Sequence, residues 1–315
     1  MNNNKITINL EDTNTIKFLK NFINEIKISD KINEKIEKRY NSLGEWLNRE
    51  ESNILKYNPE FYSQGSVRLG TAIKPVEDSE YDLDAVCILK KLTIDDISQL
   101  ELKEVVGKEL QKYHKSNNYS KPLSEGKRCW TFEYSDNERF HFDILPAIYN
   151  KEGFECELTN NHLSCNEIEN LHTEYAIAIT DNTSKTYNQI SKDWNKSNPK
   201  GYYEWFKQRC NLKKSYKSIV AMESIEDIPS EIKDTIMQQI IMILKRHRDI
   251  MFVNDEDKPI SIIITTLAAY TYDGEENLHI ALLHVVDNIL NVMTCDENKN
   301  CVVKNSTILY YNLVI

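Results

Sequence analysis

The sequence predicts an α+β (mixed) fold, in which a lobe built on a β-sheet is followed by a helical lobe and a cleft lies between the two. Apolar residues recur at helical spacing over residues 15–47, strand-like segments follow between residues 81 and 146, and helical patterns dominate from residue 160 onward. We therefore expect residues 1–159 to form an N-terminal helical brace and the sheet lobe, and residues 160–315 to form the helical lobe that closes the cleft.

The composition narrows the class of protein. The chain has 315 residues, of which 40% are hydrophobic and 28% charged, with only 8 glycines and 7 prolines, as is typical of a soluble, helix-rich globular protein. The formal net charge of −10 argues against a general polynucleotide binder, because such proteins place Lys and Arg along the phosphate backbone. No leader-like or membrane-length apolar stretch occurs, so we expect a cytoplasmic protein without membrane contact.

Helices can be placed on either side of the first strands. The apolar periodicity of residues 15–47 predicts two consecutive helices that serve as scaffold. Ser98 and Glu101 have the spacing of a capping box, which predicts a further helix start. We interpret Asp95 and Asp96 as charges that favour this helix start, and not as metal ligands.

The stretch of residues 64–89 carries the first candidate site residues. Gly65-Ser66 begins a turn-rich segment, and a β-strand is predicted to follow over residues 81–89. Asp82 and Asp84 lie two residues apart on that strand, so both side chains emerge on the same face. Two such carboxylates repel each other, and Mg²⁺, which prefers oxygen ligands, would relieve the repulsion.

A second strand-like stretch supplies a third acidic residue. In residues 140–146 large apolar residues alternate with Asp143, which therefore points to the opposite face of the strand. A preceding strand over residues 128–134 predicts a hairpin beside the strand of Asp82. Three converging carboxylates suit a two-metal site for phosphoryl or nucleotidyl transfer, and Gly65-Ser66 suits close approach to a phosphate.

Several motifs, taken in order, resemble a known family. Gly-Ser, Asp-x-Asp on a strand and a later Asp on a second strand resemble the polymerase β nucleotidyltransferase superfamily. The amino-acid sequences of the motifs resemble the bacterial CD-NTases more closely still, over about residues 16–290. These are the cyclic-oligonucleotide synthases of CBASS antiphage systems. The motifs are QGSVRLGT, YDLDAVCIL, KRCWTFEY, HFDILPA, SNPKGYYEWF, LKRHRD and PISIIITTLAAY.

The resemblance implies a polymerase β-like sheet lobe and assigns roles to individual residues. Asp82, Asp84 and Asp143 are expected to be catalytic and to hold two Mg²⁺ ions, which Mn²⁺ can replace. The residues expected to bind the nucleotide are Gln64, Gly65, Ser66, Lys245, Ser261 and Asn198.

Lys245 has two interpretations from its sequence context. The helix that carries it is predicted to begin at Pro229-Ser230, with Ser230 as the cap. Residues 245–248 are basic, and cations near the C-terminal end of a helix are favourable whatever they bind. The resemblance implies instead that Lys245 contacts the β- and γ-phosphates and that Ser261 contacts the triphosphate.

The resemblance also indicates where the bases are read. Tyr187, Asn188, Asn195 and Asn198 lie in that stretch. Asparagine amides carry both a donor and an acceptor, so they can pair with a base edge, which leads to the hypothesis of a uridine-containing dinucleotide.

The implied reaction joins nucleoside triphosphates with release of pyrophosphate and closes the product into a ring. The product is expected to activate an effector protein of the same operon, without a nucleic-acid template. Three other acceptors stay open: a linear oligonucleotide, an RNA 3′ end or a protein that becomes AMPylated. A non-catalytic nucleotide sensor is disfavoured because all three acidic residues are present, and so is a purely structural role for the acids.

Overall fold

The protein is described by a computed structural model. The described residues are 13–76, 80–134, 140–160, 172–212, 234–253, 255, 257–295, 301–303 and 313–314. Within them, no helix combines the length and the apolar composition that a membrane span requires.

Two consecutive helices begin the described chain, as predicted. Helix α1 (Thr13–Ile26) and helix α2 (Asp30–Asn48) flank Ser29, which has the extended backbone of an N-cap but makes no capping hydrogen bond with its side chain. The buried face of α1 packs into the core of the helical lobe, whereas the buried face of α2 packs into the core of the sheet lobe. The pair therefore connects the two cores.

A seven-stranded mixed sheet forms the centre of the first lobe. Its strands are β1 (Pro59–Gln64), β2 (Tyr81–Leu89), β3 (Ser124–Glu125), β4 (Trp130–Tyr134), β5 (Phe140–Tyr149), β6 (Ile177–Ile179) and β7 (Asn195–Ser197). The path β1-β2-β5-β4-β3 is extended by β6, which pairs with β5 and β7. Strands β2 and β5 are parallel, and all other neighbours are antiparallel. The predicted hairpin β4–β5 beside β2 is thereby confirmed.

Two helices belong to the sheet lobe. Helix α3 (Gly65–Arg68) is a single turn directly after β1. Helix α4 (Gln99–Ser116) begins with the predicted capping box of Ser98 and Glu101. In the turn before it, the Asp96 carboxylate accepts hydrogen bonds from the backbone and hydroxyl of Thr93, and its predicted role as a charge that favours the helix start stays a prediction.

Five further α-helices follow within the described residues, and the last four of them form the second lobe. They are α5 (Lys151–Asn160), α6 (Pro199–Cys210), α7 (Ile236–Met251), α8 (Ser261–Thr271) and α9 (Leu278–Asn288). Helices α6, α7, α8 and α9 share one apolar core with α1. A small antiparallel sheet follows, made of β8 (Thr294–Cys295), β9 (Cys301–Val303) and β10 (Leu313–Val314).

The expectation of helical structure throughout from residue 160 is wrong. Strands β6 and β7 lie beyond that position and belong to the main sheet, so the sheet lobe continues past residue 159. Each has only three residues, and a segment this short carries no readable periodicity. The predicted helix start at Pro229-Ser230 lies outside the described residues; α7 begins after Thr235, whose hydroxyl accepts from the backbone N–H of Gln238.

Candidate active site

The three predicted acidic residues meet on one face of the sheet, in the N-terminal halves of the neighbouring interior strands β2 and β5, and we call this group the acidic edge. The parallel register of β2 and β5 sets Asp84 opposite Asp143 and Asp82 opposite His141. Neighbouring strands lie about 4.8 Å apart, and residues two apart on a strand share a face. The structure therefore brings the three acids together, with the intervening Leu83 buried on the other face.

The two acids of β2 are electrostatically strained. Burial, followed by the charges of Asp82 and Asp143, raises the pKa of Asp84 to about 7. Burial and then the charge of Asp143 also raise the pKa of Asp82. Both carboxylates thus lie in an environment that disfavours their ionised form, and a cation bound between them would reverse that preference.

Asp143 has different surroundings. Its Oδ1 accepts a hydrogen bond from Thr131 Oγ1 at 2.5 Å and lies 3.2 Å from His141 Nε2. Burial acts to raise the pKa of Asp143, but the hydrogen bonds from His141 and Thr131 outweigh it and lower this pKa. As the side chains stand, no three His, Cys, Asp or Glu residues within the described ranges are arranged to hold a metal ion, so sharing an ion among all three acids requires side-chain rotation.

The predicted Gly-Ser turn lies directly against this edge. Gln64 pairs with Asp84 in the antiparallel register of β1 and β2. Gly65 has φ +64, and a Cβ atom added to it would lie only 2.2 Å from Asp84 Oδ2. Only glycine fits this position, because a side chain would meet both the unfavourable backbone region and the carboxylate.

A cavity of about 400 Å³ opens above the acidic edge, between the sheet lobe and helices α7 and α8. Ser66 and Asp82 line its sheet side, and Lys245 and Ser261 line its helical side. Four residues predicted from separate motifs therefore face one space.

Lys245 is part of this wall and is not a solvated helix-end charge. Only 4% of the residue is exposed, and its Nζ donates a hydrogen bond to the backbone oxygen of Thr71 at 2.9 Å. Burial, followed by the neighbouring Arg248, lowers the pKa of Lys245 to about 8, although the charges of Asp82 and Asp84 oppose this change.

Sequence reasoning missed Arg248. It lies three residues after Lys245, a spacing that sets both side chains on the same helical face. Its Nη1 donates to Ser261 Oγ at 3.0 Å and to the backbone oxygen of Pro259 at 3.0 Å. The helical spacing within LKRHRD is the signal that could have identified it.

A second cavity, of about 240 Å³, adjoins Asp84 on the other side of the Gly-Ser turn. Gln64, Gly65 and Asn198 contribute to its lining. The Asn198 amide is engaged within the protein, since Oδ1 accepts from the Gly201 backbone N–H at 3.0 Å and Nδ2 donates to the His172 backbone oxygen at 3.1 Å. Asn198 therefore caps helix α6, and its predicted role in nucleotide binding stays a prediction.

The other predicted base-reading residues are placed elsewhere. Tyr187 and Asn188 line neither cavity. The Asn195 amide donates to Asp181 Oδ2 at 2.9 Å. The hypothesis of a uridine-reading site thus gains no support from their positions.

A Gly-Ser turn, acids on two parallel strands and a cavity closed by a helical lobe together define a nucleotidyltransferase fold. The sequence also matches the model of a family, the Second Messenger Oligonucleotide or Dinucleotide Synthetase domain, over residues 14–174. The chain belongs to this family, and its recognition as a bacterial CD-NTase is confirmed.

Individual relatives agree with this assignment. The chain is 27% identical over 258 residues to a c-di-GMP synthase of Roseivirga ehrenbergii, covering 80% of this chain and 59% of that protein's length. Its fold is similar to that of the CD-NTase CdnG of Bradyrhizobium diazoefficiens in complex with GTP, with a TM-score of 0.59, 18% identity and coverage of 86% of this chain and 75% of that one. It is also similar to Vibrio cholerae DncV cyclic AMP-GMP synthase bound to the linear intermediate 5′ pppA(3′,5′)pG, with a TM-score of 0.53, 14% identity and coverage of 87% and 78%.

Proposed function

We propose that the protein is a nucleotidyltransferase that condenses two nucleoside triphosphates into a cyclic dinucleotide. The observation that carries the proposal is the first cavity, where Ser66 and Asp82 of the sheet lobe face Lys245 and Ser261 of the helical lobe. A triphosphate needs cations and hydroxyl donors on one side and acidic residues at the reacting phosphorus on the other. The names of the related proteins support the same reaction class.

The acidic edge fits Mg²⁺ as a cofactor, with Mn²⁺ as a substitute. Asp82 and Asp84 are carboxylates whose raised pKa values reflect burial and repulsion from neighbouring carboxylates, Asp143 among them, which divalent cations would relieve. Asp82, Asp84 and Asp143 would hold two ions. When bound, such ions supply charge neutralisation at the transferred phosphate and lower the pKa of the attacking hydroxyl.

The residues of the chain position the reactants. Ser66 and the backbone of Gly65 approach the phosphates, and Lys245 and Ser261 hold the terminal phosphates from the helical side. Asp143, whose carboxylate is held by Thr131, is the residue that we assign to accept the proton of the attacking hydroxyl.

Bond changes follow from this arrangement. A ribose hydroxyl of the second nucleotide forms a bond to the α-phosphorus of the first, and pyrophosphate leaves. A second attack within the linear intermediate closes the ring and releases a second pyrophosphate. The cavity beside Asp84 offers space for part of the second nucleotide.

Guanine is the base that the relatives favour. A c-di-GMP synthase, a GTP complex and a cyclic AMP-GMP synthase are among them, so we propose GTP as at least one substrate. A uridine-containing product stays a prediction. By family resemblance, the product would activate an effector protein in the cytoplasm during antiphage defence.

The test is direct product detection. The purified chain is incubated with all four α-³²P-labelled nucleoside triphosphates and Mg²⁺, then treated with phosphatase. The expected result is a phosphatase-resistant labelled product that migrates with a cyclic-dinucleotide standard and not with a linear dinucleoside monophosphate, and that disappears in the Asp82→Ala/Asp84→Ala variant. Omission of one nucleotide at a time then identifies the bases, and omission of GTP should abolish the product.

Other outcomes contradict the proposal in distinct ways. A phosphatase-resistant product with the chromatographic mobility of a linear dinucleoside monophosphate indicates a linear product, because phosphatase removes only its terminal label and leaves the label in the phosphodiester linkage. Label that migrates with added RNA or with protein indicates end addition or AMPylation. If nucleotides bind to the chain but no label is incorporated with either Mg²⁺ or Mn²⁺, a nucleotide sensor replaces the enzyme.

A further inference from the structure

Helix α8 is held at both ends by arginine side chains. At its N-terminal end, Arg248 donates to the Pro259 backbone oxygen and to Ser261 Oγ. Near its C-terminal end, Arg209 donates to the backbone oxygens of Ala269 at 2.6 Å and of Tyr272 at 2.5 Å. Only the first arginine lines the cavity above the acidic edge.

The contact between Arg248 and Ser261 determines what the serine can do. A guanidinium group only donates hydrogen bonds, so Ser261 Oγ must be the acceptor in this pair. A hydroxyl has one hydrogen, which Ser261 can therefore donate to a different group. No acceptor for it is recorded among the described residues, and Ser261 lines the cavity.

Arg248 is itself held in a fixed orientation. Its Nε and Nη2 donate to Asp249 Oδ1 at 3.0 and 2.7 Å, and Lys258 Nζ lies 2.8 Å from the same oxygen. The Arg248 side chain is only 12% exposed. Because the planar fork is engaged on two sides, its Nη1 presents a fixed donor to the serine.

We propose that Arg248 is a positioning residue that orients the Ser261 hydroxyl to donate to the terminal phosphates of a nucleoside triphosphate, an inference that rests on the proposed function. Arg248 then contributes to discrimination between triphosphates and monophosphates through Ser261. A donor fixed before the ligand arrives binds more tightly than a freely rotating one, because less conformational entropy is lost.

A double-mutant cycle tests the inference by binding, without turnover. Binding of the four α,β-methylene nucleoside triphosphates and of the matching monophosphate is measured by calorimetry for the wild type, Arg248→Lys, Ser261→Ala and the double variant. The analogues cannot react at the α–β bridge. We expect each single change to weaken triphosphate binding about tenfold and monophosphate binding less than about twofold, in line with the loss of one hydrogen bond to a charged group.

The double variant shows whether Arg248 and Ser261 act together or independently. If Arg248 acts through Ser261, the double variant binds triphosphate no more weakly than the poorer single variant. Additive losses would show that the two residues act independently and would overturn the inference. An unchanged Arg248→Lys variant would also overturn it, because lysine keeps the charge but not the fork.

Arg209→Lys is the matched control. It removes the corresponding fork at the other end of α8, so it should lower the melting temperature without changing the preference for triphosphate over monophosphate. Asp249→Asn is a second variant for use if Arg248→Lys does not fold. It should weaken triphosphate binding by a smaller factor, and it should cause no further weakening when it is combined with Ser261→Ala. A wild-type protein that binds none of the four triphosphate analogues would refute the proposed function itself. Additive losses in a protein that does bind them would refute only the role of Arg248.

Discussion

The cavity has two charged walls that are built differently. The acidic edge (Asp82, Asp84 and Asp143), of which Asp82 lines the cavity, lies in the N-terminal halves of two parallel strands, and the basic wall (Lys245 and Arg248) lies on helix α7. In the basic wall, both cations already have polar partners, the Thr71 backbone oxygen and the carboxylate of Asp249 among them. On the acidic edge, burial and then the charge of Asp143 raise the pKa of Asp82, and burial followed by the charges of Asp82 and Asp143 raises the pKa of Asp84.

This difference indicates which of the two charged groups needs a bound ligand for its stability. Backbone oxygens and a paired carboxylate arrange the cations before any phosphate arrives, so the basic wall is preorganised. The acidic edge brings like charges together, and burial increases the free-energy cost of their ionised forms. It is therefore stabilised only when a counter-charge binds. We therefore expect substitutions on the two walls to differ in their effects on catalysis, binding and stability.

The largest effect is expected on the acidic edge. Asp84→Ala should lower the rate of product formation by about 1,000-fold or more, because charge stabilisation at the reacting phosphorus is usually the largest contribution to such catalysis. The measurement is the initial rate with labelled nucleotides under saturating Mg²⁺. Asp96→Asn, which changes a carboxylate that holds Thr93 in the turn before helix α4, is the control and should leave the rate unchanged.

On the basic wall we expect a loss of affinity first. Lys245→Met should weaken binding of an α,β-methylene triphosphate by about 30- to 100-fold, the size expected for loss of a buried charge-assisted contact. Monophosphate binding should change much less. Equal losses for both ligands would mean that Lys245 supports the fold through Thr71 and does not contact the terminal phosphates.

Much of the site could be predicted because its residues lie in short, periodic motifs. The alternation in β2 and β5 is sufficient to place Asp82, Asp84 and Asp143 on one face, and the structure supplies the parallel register that makes them neighbours. Gly65 was identified from its residue type, and its left-handed backbone next to Asp84 gives the physical reason.

The rest depends on tertiary contacts that leave no local signal. Strands β6 and β7 have three residues each and are formed by pairing with β5, which no window of sequence can display. Asn198 was predicted to read a base from its amide chemistry, yet the same chemistry serves a helix cap. Arg248 lies within a recognised motif, but its role emerges only from the position of Ser261 on another helix.

The repulsion on the acidic edge can also be tested by measuring the stability of the fold. The folded-state pKa of Asp84, about 7, lies above its ordinary value, so the protonated side chain stabilises the fold below about pH 4 and this contribution is lost as the pH rises through 7. Asp84→Asn imitates the protonated form. Without divalent cations it should therefore increase the free energy of unfolding by about 1–3 kcal/mol at about pH 8, with a gain that fades toward pH 4.

Urea denaturation at several pH values gives that measurement, and Mg²⁺ supplies its internal control. Saturating Mg²⁺ should stabilise the wild type more than the variant, because the wild type retains both carboxylates of β2. An Asp84→Asn protein that is less stable than the wild type at about pH 8 without divalent cations would contradict the picture of a repulsive acidic edge.

The smallest effect is expected in the pH dependence of ligand binding. Burial and then Arg248 lower the pKa of Lys245 to about 8, so its charge is present below that pH and is lost above it. Triphosphate affinity should fall up to about tenfold between about pH 8 and pH 9, because one pH unit changes the charged fraction by up to that factor. Lys245→Met should abolish this dependence.

Proton uptake separates this cause from titration elsewhere. Since a bound triphosphate favours the charged form of Lys245, binding at about pH 8.5 should be accompanied by uptake of a fraction of a proton. Calorimetry in two buffers with different ionisation enthalpies detects it. Uptake that persists in the Lys245→Met protein would assign the proton to another group and would contradict the lowered pKa of Lys245 as the cause of the pH dependence.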